Sequence, residues 1–223
     1  VEGRSRSSRV ISWVTRSIWT HSALYIGKLG DHPQEIQQQL LKYNSDIKDG
    51  PLIIESNLGQ GVVVRKLECY RKDHLRICRP MGIKPLQVQK VLDSVINDLG
   101  MPYDHLQVFD LARFLFPWFM LPRRWRSSLF KHNAKAPTKH TCSLLIAEAF
   151  VHAHFPILPI LEKGITSENY KAVMRNPRLF VPADFDYSPF FGIVKYPIIE
   201  LADKNHANIF WNQFMHCDDE ECL

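Results

Sequence analysis

What this chain lacks narrows the possibilities first. It has no glycine-rich phosphate loop and no nucleic-acid-binding motif, so nucleotide hydrolysis and nucleic-acid recognition have no support. It has no internal repeat and no low-complexity linker. No window reads as a membrane span. The nearest, residues 108–121, is too short, carries Asp110 and Arg113, and is broken by Pro117. The five cysteines (Cys69, Cys78, Cys142, Cys217 and Cys222) form no disulfide framework. Their odd number leaves at least one free thiol, which suits a reducing compartment or a catalytic role. Cys69 and Cys78 flank a turn, and a disulfide between neighbouring strands there is one reading. Acidic residues are absent between Asp110 and Glu148, while Arg113, Arg123, Arg124, Arg126, Lys131, Lys135 and Lys139 all fall there. That run reads either as a solvated loop or as a positive surface that attracts an anionic substrate or lipid and favours a nearby thiolate.

What is present suits one globular domain. The 223 residues are 45% hydrophobic and 23% charged, enough for a sizeable core. We assign one domain over 1–223, with its core at about 10–195, a polar and loosely packed lead over 1–9, and a polar tail from about 203 that ends acidic. The net charge of +5 is modest and points to no nucleic-acid partner. The first residue is Val1, not Met, so a leader removed from the chain stays an open reading. A cytoplasmic or peripheral-membrane location is favoured, with the cell envelope left open.

Periodicity predicts alternating helices and strands. A short helix is expected over 10–18, a strand over 19–26, and a peripheral helix from Pro33 to about Tyr43. Strands over 52–56, 61–70 and 74–79 read as a meander. Pro85 opens an amphipathic helix with Val88, Val91, Leu92, Val95, Ile96 and Leu99 at helical spacing, stopped by Gly100 and Pro102. Further helices are expected over 106–116, from Cys142 onward, and from Thr166 to before Pro177. A turn over 181–185 and a strand over 191–195 close the pattern.

Three residues stand out chemically. Cys142 opens an apolar helix, where the positive end of the helix dipole and unpaired backbone N–H groups favour thiolate over thiol. His21 lies on the expected strand over 19–26 and is the candidate base. Glu55 is a carboxylate inside an apolar strand, costly to bury unless paired, and placed to orient the imidazole. Each has a plainer reading: a small core cysteine, a half-buried histidine, a glutamate facing solvent. No metal or cofactor is expected, because neither His152 and His154 nor His216, Cys217 and Cys222 match a zinc spacing.

The segments Trp19-Thr-His-Ser-Ala-Leu-Tyr-Ile-Gly27, Ile54-Glu-Ser56 with Gly61-Val-Val63, Gly100-Met-Pro-Tyr-Asp104, Thr141-Cys-Ser-Leu144, and Val181-Pro-Ala-Asp-Phe185 with Ser188-Pro189 occur in that order. Together they resemble the permuted branch of the NlpC-type cysteine peptidase superfamily, the YiiX/YebB-like proteins, in which the histidine precedes the cysteine. The resemblance implies an α+β fold, a circularly permuted papain-like arrangement with an antiparallel sheet packed against a helical part bearing the cysteine. It implies Cys142 as nucleophile, His21 as base and Glu55 as the orienting group. The expected activity is hydrolysis of an amide or ester through an acyl-enzyme. Relatives in that superfamily cleave peptidoglycan stem peptides, and others of the lecithin–retinol acyltransferase group move acyl chains. A non-catalytic binding module is the remaining class.

Two departures bear on that expectation. The Gly-Asp-Ile opening usual before the histidine segment is missing, and the aromatic, basic stretch 106–126 is longer than a minimal member needs. Phe114, Phe116, Trp118, Phe119 and Trp125 beside Arg123, Arg124 and Arg126 read either as a membrane-interface contact or as core and roof of the site. The expected partner is accordingly a peptide or a lipid or acyl substrate, with peripheral membrane contact through 106–126 as one reading.

Overall fold

The computed structural model describes residues 1–3, 6–103, 141–163 and 170–194. The insert at 106–126, the expected helix over 106–116, the basic run, Cys217 and Cys222, and the acidic tail lie outside the described residues.

The order of elements is a mixed α+β pattern: α1 (Arg6–Thr15), β1 (Leu24–Lys28), α2 (Gln34–Tyr43), β2 (Pro51–Asn57), β3 (Gly61–Lys66), β4 (Ile77–Pro80), α3 (Pro85–Asn97), α4 (Cys142–His152), β5 (Ile160–Lys163), β6 (Tyr170–Val173), the short α5 (Asp184–Tyr187) and β7 (Phe191–Val194). Among the described residues, three antiparallel sheets form: β1-β2-β3, β4-β7 and β5-β6.

β2 is the middle strand of the three-stranded sheet and is buried along nearly its whole length. Side chains alternate across a strand, so Leu52 and Ile54 share one face and Ile53, Glu55 and Asn57 the other. Leu52 and Ile54 join Val62 and Val64 of β3 in the main core with Val91 and Val95 of α3 and Leu145, Ile146 and Ala149 of α4. The Glu55 face is where polar groups collect. A bulge between Tyr25 and Gly27 bends β1, and Gly27 takes a positive φ of 91° there. Gly61, at φ 77°, lets the β3 edge approach the chain after α3. A Cβ at this position would stand 2.1 Å from the Met101 carbonyl oxygen, which accepts a 2.8 Å bond from the Val62 N–H.

α4 forms because nothing in its sequence opposes a helix and nearly all of it can be buried. Thr141 is its N-cap, extended at φ −92°, and its hydroxyl accepts from the Leu144 N–H at 3.4 Å. At the other end His154 turns left-handed at φ 53°. The His154 and Phe155 N–H groups then close on the Val151 and Phe150 carbonyls, both at 2.9 Å. Beyond this cap lies an aromatic cluster in which Phe150, Phe155, Phe185 and Phe191 meet at ring-centroid distances of 5.3–6.1 Å.

Several expectations are corrected. Residues 1–3 are not a loose lead. The Val1 carbonyl accepts from the Thr20 and His21 N–H groups, the Glu2 N–H reaches the His74 carbonyl, and α1 already begins at Arg6. The strand expected over 19–26 begins only at Leu24, because those same amides are held by Val1 and not by a strand partner. The third strand of the meander leaves the sheet. Residues 67–70 coil into a single 3₁₀ turn, and β4 pairs with β7 instead. Residues 170–173 are strand β6 paired with β5, where a helix was expected. Cys69 and Cys78 are both free thiols, so the bridge that the sequence left open is not formed.

Candidate active site

His21 belongs to the loop between α1 and β1, and that loop is fixed from several sides. Besides the two amides held by Val1, the Thr20 hydroxyl accepts from the Gly3 N–H at 2.8 Å. The Trp19 indole N–H donates to Asp186 Oδ2 at 3.0 Å. Arg76 grips the same carboxylate at 2.8 and 2.6 Å and lies 4.8 Å over the Trp19 ring. Asp186 sits in α5, so the 181–189 segment anchors the loop that carries the histidine.

His21 then meets Glu55. Its Nε2 lies 2.9 Å from Glu55 Oε2. Glu55 is 0% exposed, and its carboxylate is saturated with donors. Oε2 also accepts from the Tyr70 hydroxyl. Oε1 accepts from Asn57 Nδ2 at 2.7 Å and from an Arg65 guanidinium nitrogen at 3.3 Å. A carboxylate offers about four lone-pair positions, and each oxygen here receives two donors. Burial pushes the Glu55 carboxyl up, but the bonds from His21, Tyr70 and Asn57 win and hold it below its ordinary value. The Tyr70 hydroxyl is pushed strongly up by burial and by the neighbouring Glu55 charge, so it stays a donor. Because an ionised carboxylate can only accept, Nε2 carries the proton.

Nδ1 is thereby left to the sulfur. Cys142, 6% exposed, is hydrogen-bonded to the His21 side chain, and the Ser22 backbone N–H also donates to its sulfur. Burial alone would raise this thiol. The bond and charge of His21, helped by Ser22, outweigh burial and hold it below its ordinary 9.0. Burial would lower His21 as well, yet the bonds and charges of Cys142 and Glu55 push it up to about 9. Ser143, next along α4, donates its hydroxyl to the Phe180 carbonyl at 2.7 Å and pins the helix start. The Cys142 and Ser143 amides lie in the first turn, where the helix supplies no partner carbonyl.

All three residues singled out from the sequence therefore meet, in the order Cys142, His21, Glu55. The histidine arrives from a loop and not from a strand. Sequence reasoning passed over four others. Asn57 and Arg65 carried a signal, since Asn57 shares the Glu55 face at i+2 and Arg65 lies opposite Ile53, one step along that face. Tyr70 and Ser22 carried none that local pattern could isolate. Among the described residues no three side chains form a metal-binding group, and no helix is long and apolar enough to cross a membrane.

No family model matches the sequence, and comparison with curated proteins and with solved structures gave no significant match.

Proposed function

We propose that this protein is a cysteine-dependent hydrolase that cleaves an ester or amide through an acyl-enzyme on Cys142. The observation that carries the proposal is the buried chain Cys142–His21–Glu55, with the carboxylate saturated by donors and the thiol held below its ordinary pKa. A buried ion pair is a poor way to gain stability. Its cost is explained if the thiolate and imidazolium are wanted for chemistry.

The steps follow from the geometry. The Cys142 thiolate attacks the carbonyl carbon. A C–S bond forms and the C=O π pair moves onto oxygen. The amides at the start of α4 are placed to receive that charge. The tetrahedral adduct collapses, the bond to the leaving alkoxide or amine breaks, and the imidazolium of His21 supplies the proton the leaving group needs. Water then attacks the thioester while His21 takes its proton. The carboxylic acid departs and thiolate and imidazolium are restored. Glu55 holds the imidazole in the tautomer that keeps Nδ1 towards sulfur.

The histidine-before-cysteine order, the antiparallel sheet and the cysteine-bearing helix support a circularly permuted papain-like fold and membership of the branch that the sequence resembles. Within the reading of an acyl-enzyme, we favour lipid or acyl esters as substrates over peptidoglycan stem peptides, on the aromatic and basic character of 106–126.

The test is intact mass after brief exposure to p-nitrophenyl acetate and p-nitrophenyl octanoate. An acyl adduct on Cys142, absent in Cys142→Ser, is expected, along with alkylation of Cys142 far faster than of Cys69 or Cys78 at pH 7. Lack of any adduct, with equal alkylation of the three thiols in folded protein, refutes the proposal. Parallel incubation with phospholipid vesicles and with stem peptides separates the substrate classes.

A further inference from the structure

Ser22 stands directly after the candidate base, and its two polar groups behave differently. Its backbone N–H donates to the Cys142 sulfur. Its hydroxyl oxygen is sealed from solvent and has no directed hydrogen-bond partner. A buried hydroxyl without a partner is uncommon, because it gives up its bonds to water and gains none in return. Its oxygen meets no group in full hydrogen-bond geometry, yet the side chain is near enough to the sulfur to help, least among the groups named, in holding the thiol down.

The other polar groups around the sulfur are engaged. His21 is shared between Glu55 and the thiol, Thr141 caps α4, and the Ser143 hydroxyl is tied to the Phe180 carbonyl. Ser22 Oγ is the side-chain donor left over at this point. A hydroxyl hydrogen turns freely about its C–O bond. When sulfur attacks a carbonyl, negative charge leaves sulfur and appears on oxygen one bond further on. A rotatable donor beside the sulfur can follow that charge, whereas the Ser22 backbone N–H, fixed on the sulfur, cannot.

We propose that Ser22 is a catalytic residue whose hydroxyl donates to the substrate's oxyanion as the C–S bond forms, supplementing the amides at the start of α4. The inference rests on the acyl-enzyme reading above. No proton is transferred by Ser22 in this step. Its O–H remains covalent throughout, and the electron pair on the oxyanion returns to re-form C=O when the leaving group departs.

Two reactions of the same thiol separate this role from a structural one. Alkylation by iodoacetamide displaces iodide from a saturated carbon and builds no oxyanion, so it reads thiolate reactivity alone. Acylation by p-nitrophenyl acetate needs the oxyanion. In Ser22→Ala the acylation rate is expected to fall about 10²-fold, in line with the loss of one oxyanion donor, while alkylation of Cys142, which loses only the hydroxyl's minor share in holding the thiol down, falls by no more than about three-fold. Selective alkylation also reports that the site is still folded. Ser22→Thr keeps the donor and is expected to acylate at least about ten times faster than Ser22→Ala. Acylation of Ser22→Ala within about three-fold of the parent overturns the proposal. So does a parallel fall in both reactions, which would assign Ser22 to the thiolate instead. A parent protein that alkylates selectively yet never acylates defeats the acyl-enzyme reading itself, and the proposal with it.

Discussion

The two ends of α4 are built by opposite rules. At its start, Cys142, His21, Glu55, Tyr70 and Ser22 crowd polar and charged groups together, with Cys142 and Glu55 themselves buried. At its end, Phe150 enters a cluster with Phe155, Phe185 and Phe191 that contributes only ring contacts and apolar burial. Burying a charge costs several kcal/mol before any partner is found, whereas burying a phenylalanine gains about 1.5–3 kcal/mol. The aromatic end therefore holds the helix, and the helix holds the costly end in place. If that division is right, changes at the start should move chemistry more than stability, and changes at the end the reverse.

The largest effect is expected from His21→Ala. With His21 as the general acid–base group of the proposed reaction, its loss lowers turnover by about 10²–10⁴-fold, and Cys142 alkylation at pH 7 should drop towards that of Cys78. Cys78, half-buried, is itself held above its ordinary value, chiefly by burial. The pH profile carries the sign. His21 is pushed up to about 9 in the fold from an ordinary 6.5 by Cys142 and Glu55, so its contribution to stability is full below pH 6.5 and lost as pH rises through about 9. Cys142 runs the other way. Its contribution is present above its ordinary 9.0 and lost as pH falls through its lowered value. Chemistry that needs both ions should therefore decline on the alkaline side near pH 9, and stopped-flow acylation across pH 6–10 checks this. A protein whose acylation keeps rising past pH 10 has no imidazolium to lose, and the ion-pair picture fails.

Phe150→Ala comes next and sharpens the other half. Truncating a phenylalanine that is 2% exposed should cost about 3–5 kcal/mol by denaturant unfolding. Where the variant is still folded, Cys142 should alkylate at close to the parent rate. A matching loss of thiol reactivity would mean that the two ends are coupled through the helix and not independent.

How much of this was legible in the sequence follows the same divide. Helices with a clear stripe or a nearly continuous apolar run were readable, because Val91, Val95 and Ile96 repeat at helical spacing and α4 is apolar over most of its length. Glu55 was readable because an ionisable group in an apolar strand demands a partner. The placement of His21 was not. Residues 19–26 look uniformly strand-like, and what ends the strand at Leu24 is the Val1 carbonyl, about twenty residues away in sequence, holding the Thr20 and His21 amides. The pairing of β4 with β7 was hidden for the same reason, since Cys78 and Ile193 meet across more than a hundred residues. Tyr70 reaches Glu55 only because residues 67–70 coil where an extended strand was expected. Local pattern records which groups need partners; it does not record partners supplied from far along the chain.

A smaller effect is expected from Tyr70→Phe, which removes one of the four donors on Glu55 and nothing else. Leaving one lone pair of a buried carboxylate empty costs about 1–3 kcal/mol in stability. Glu55 then binds a proton more readily, its hold on His21 weakens, and the alkaline limb should shift below about 9. Turnover with an unmoved limb would make Tyr70 a packing residue. A shifted limb with unchanged folding stability would mean that water fills its place.

The smallest expected effect tests the boundary between the two ends. Thr141 caps α4 immediately before Cys142, and its hydroxyl accepts the Leu144 N–H at a long 3.4 Å. Loss of a capping side chain costs about 0.5–2 kcal/mol, and the length of this bond argues for the low part of that range. The thiolate owes its low pKa to His21 and Ser22, and Thr141 is absent from the groups that lower it most. Thr141→Ala should therefore lower stability by about 0.5–1 kcal/mol and leave Cys142 alkylation within about three-fold of the parent. Differential scanning calorimetry beside timed iodoacetamide labelling makes both measurements on one preparation. If reactivity collapses while the melting temperature barely moves, the first turn of α4 is held for chemistry by its cap and not by the packing at its far end, and the division between the two ends of the helix is wrong.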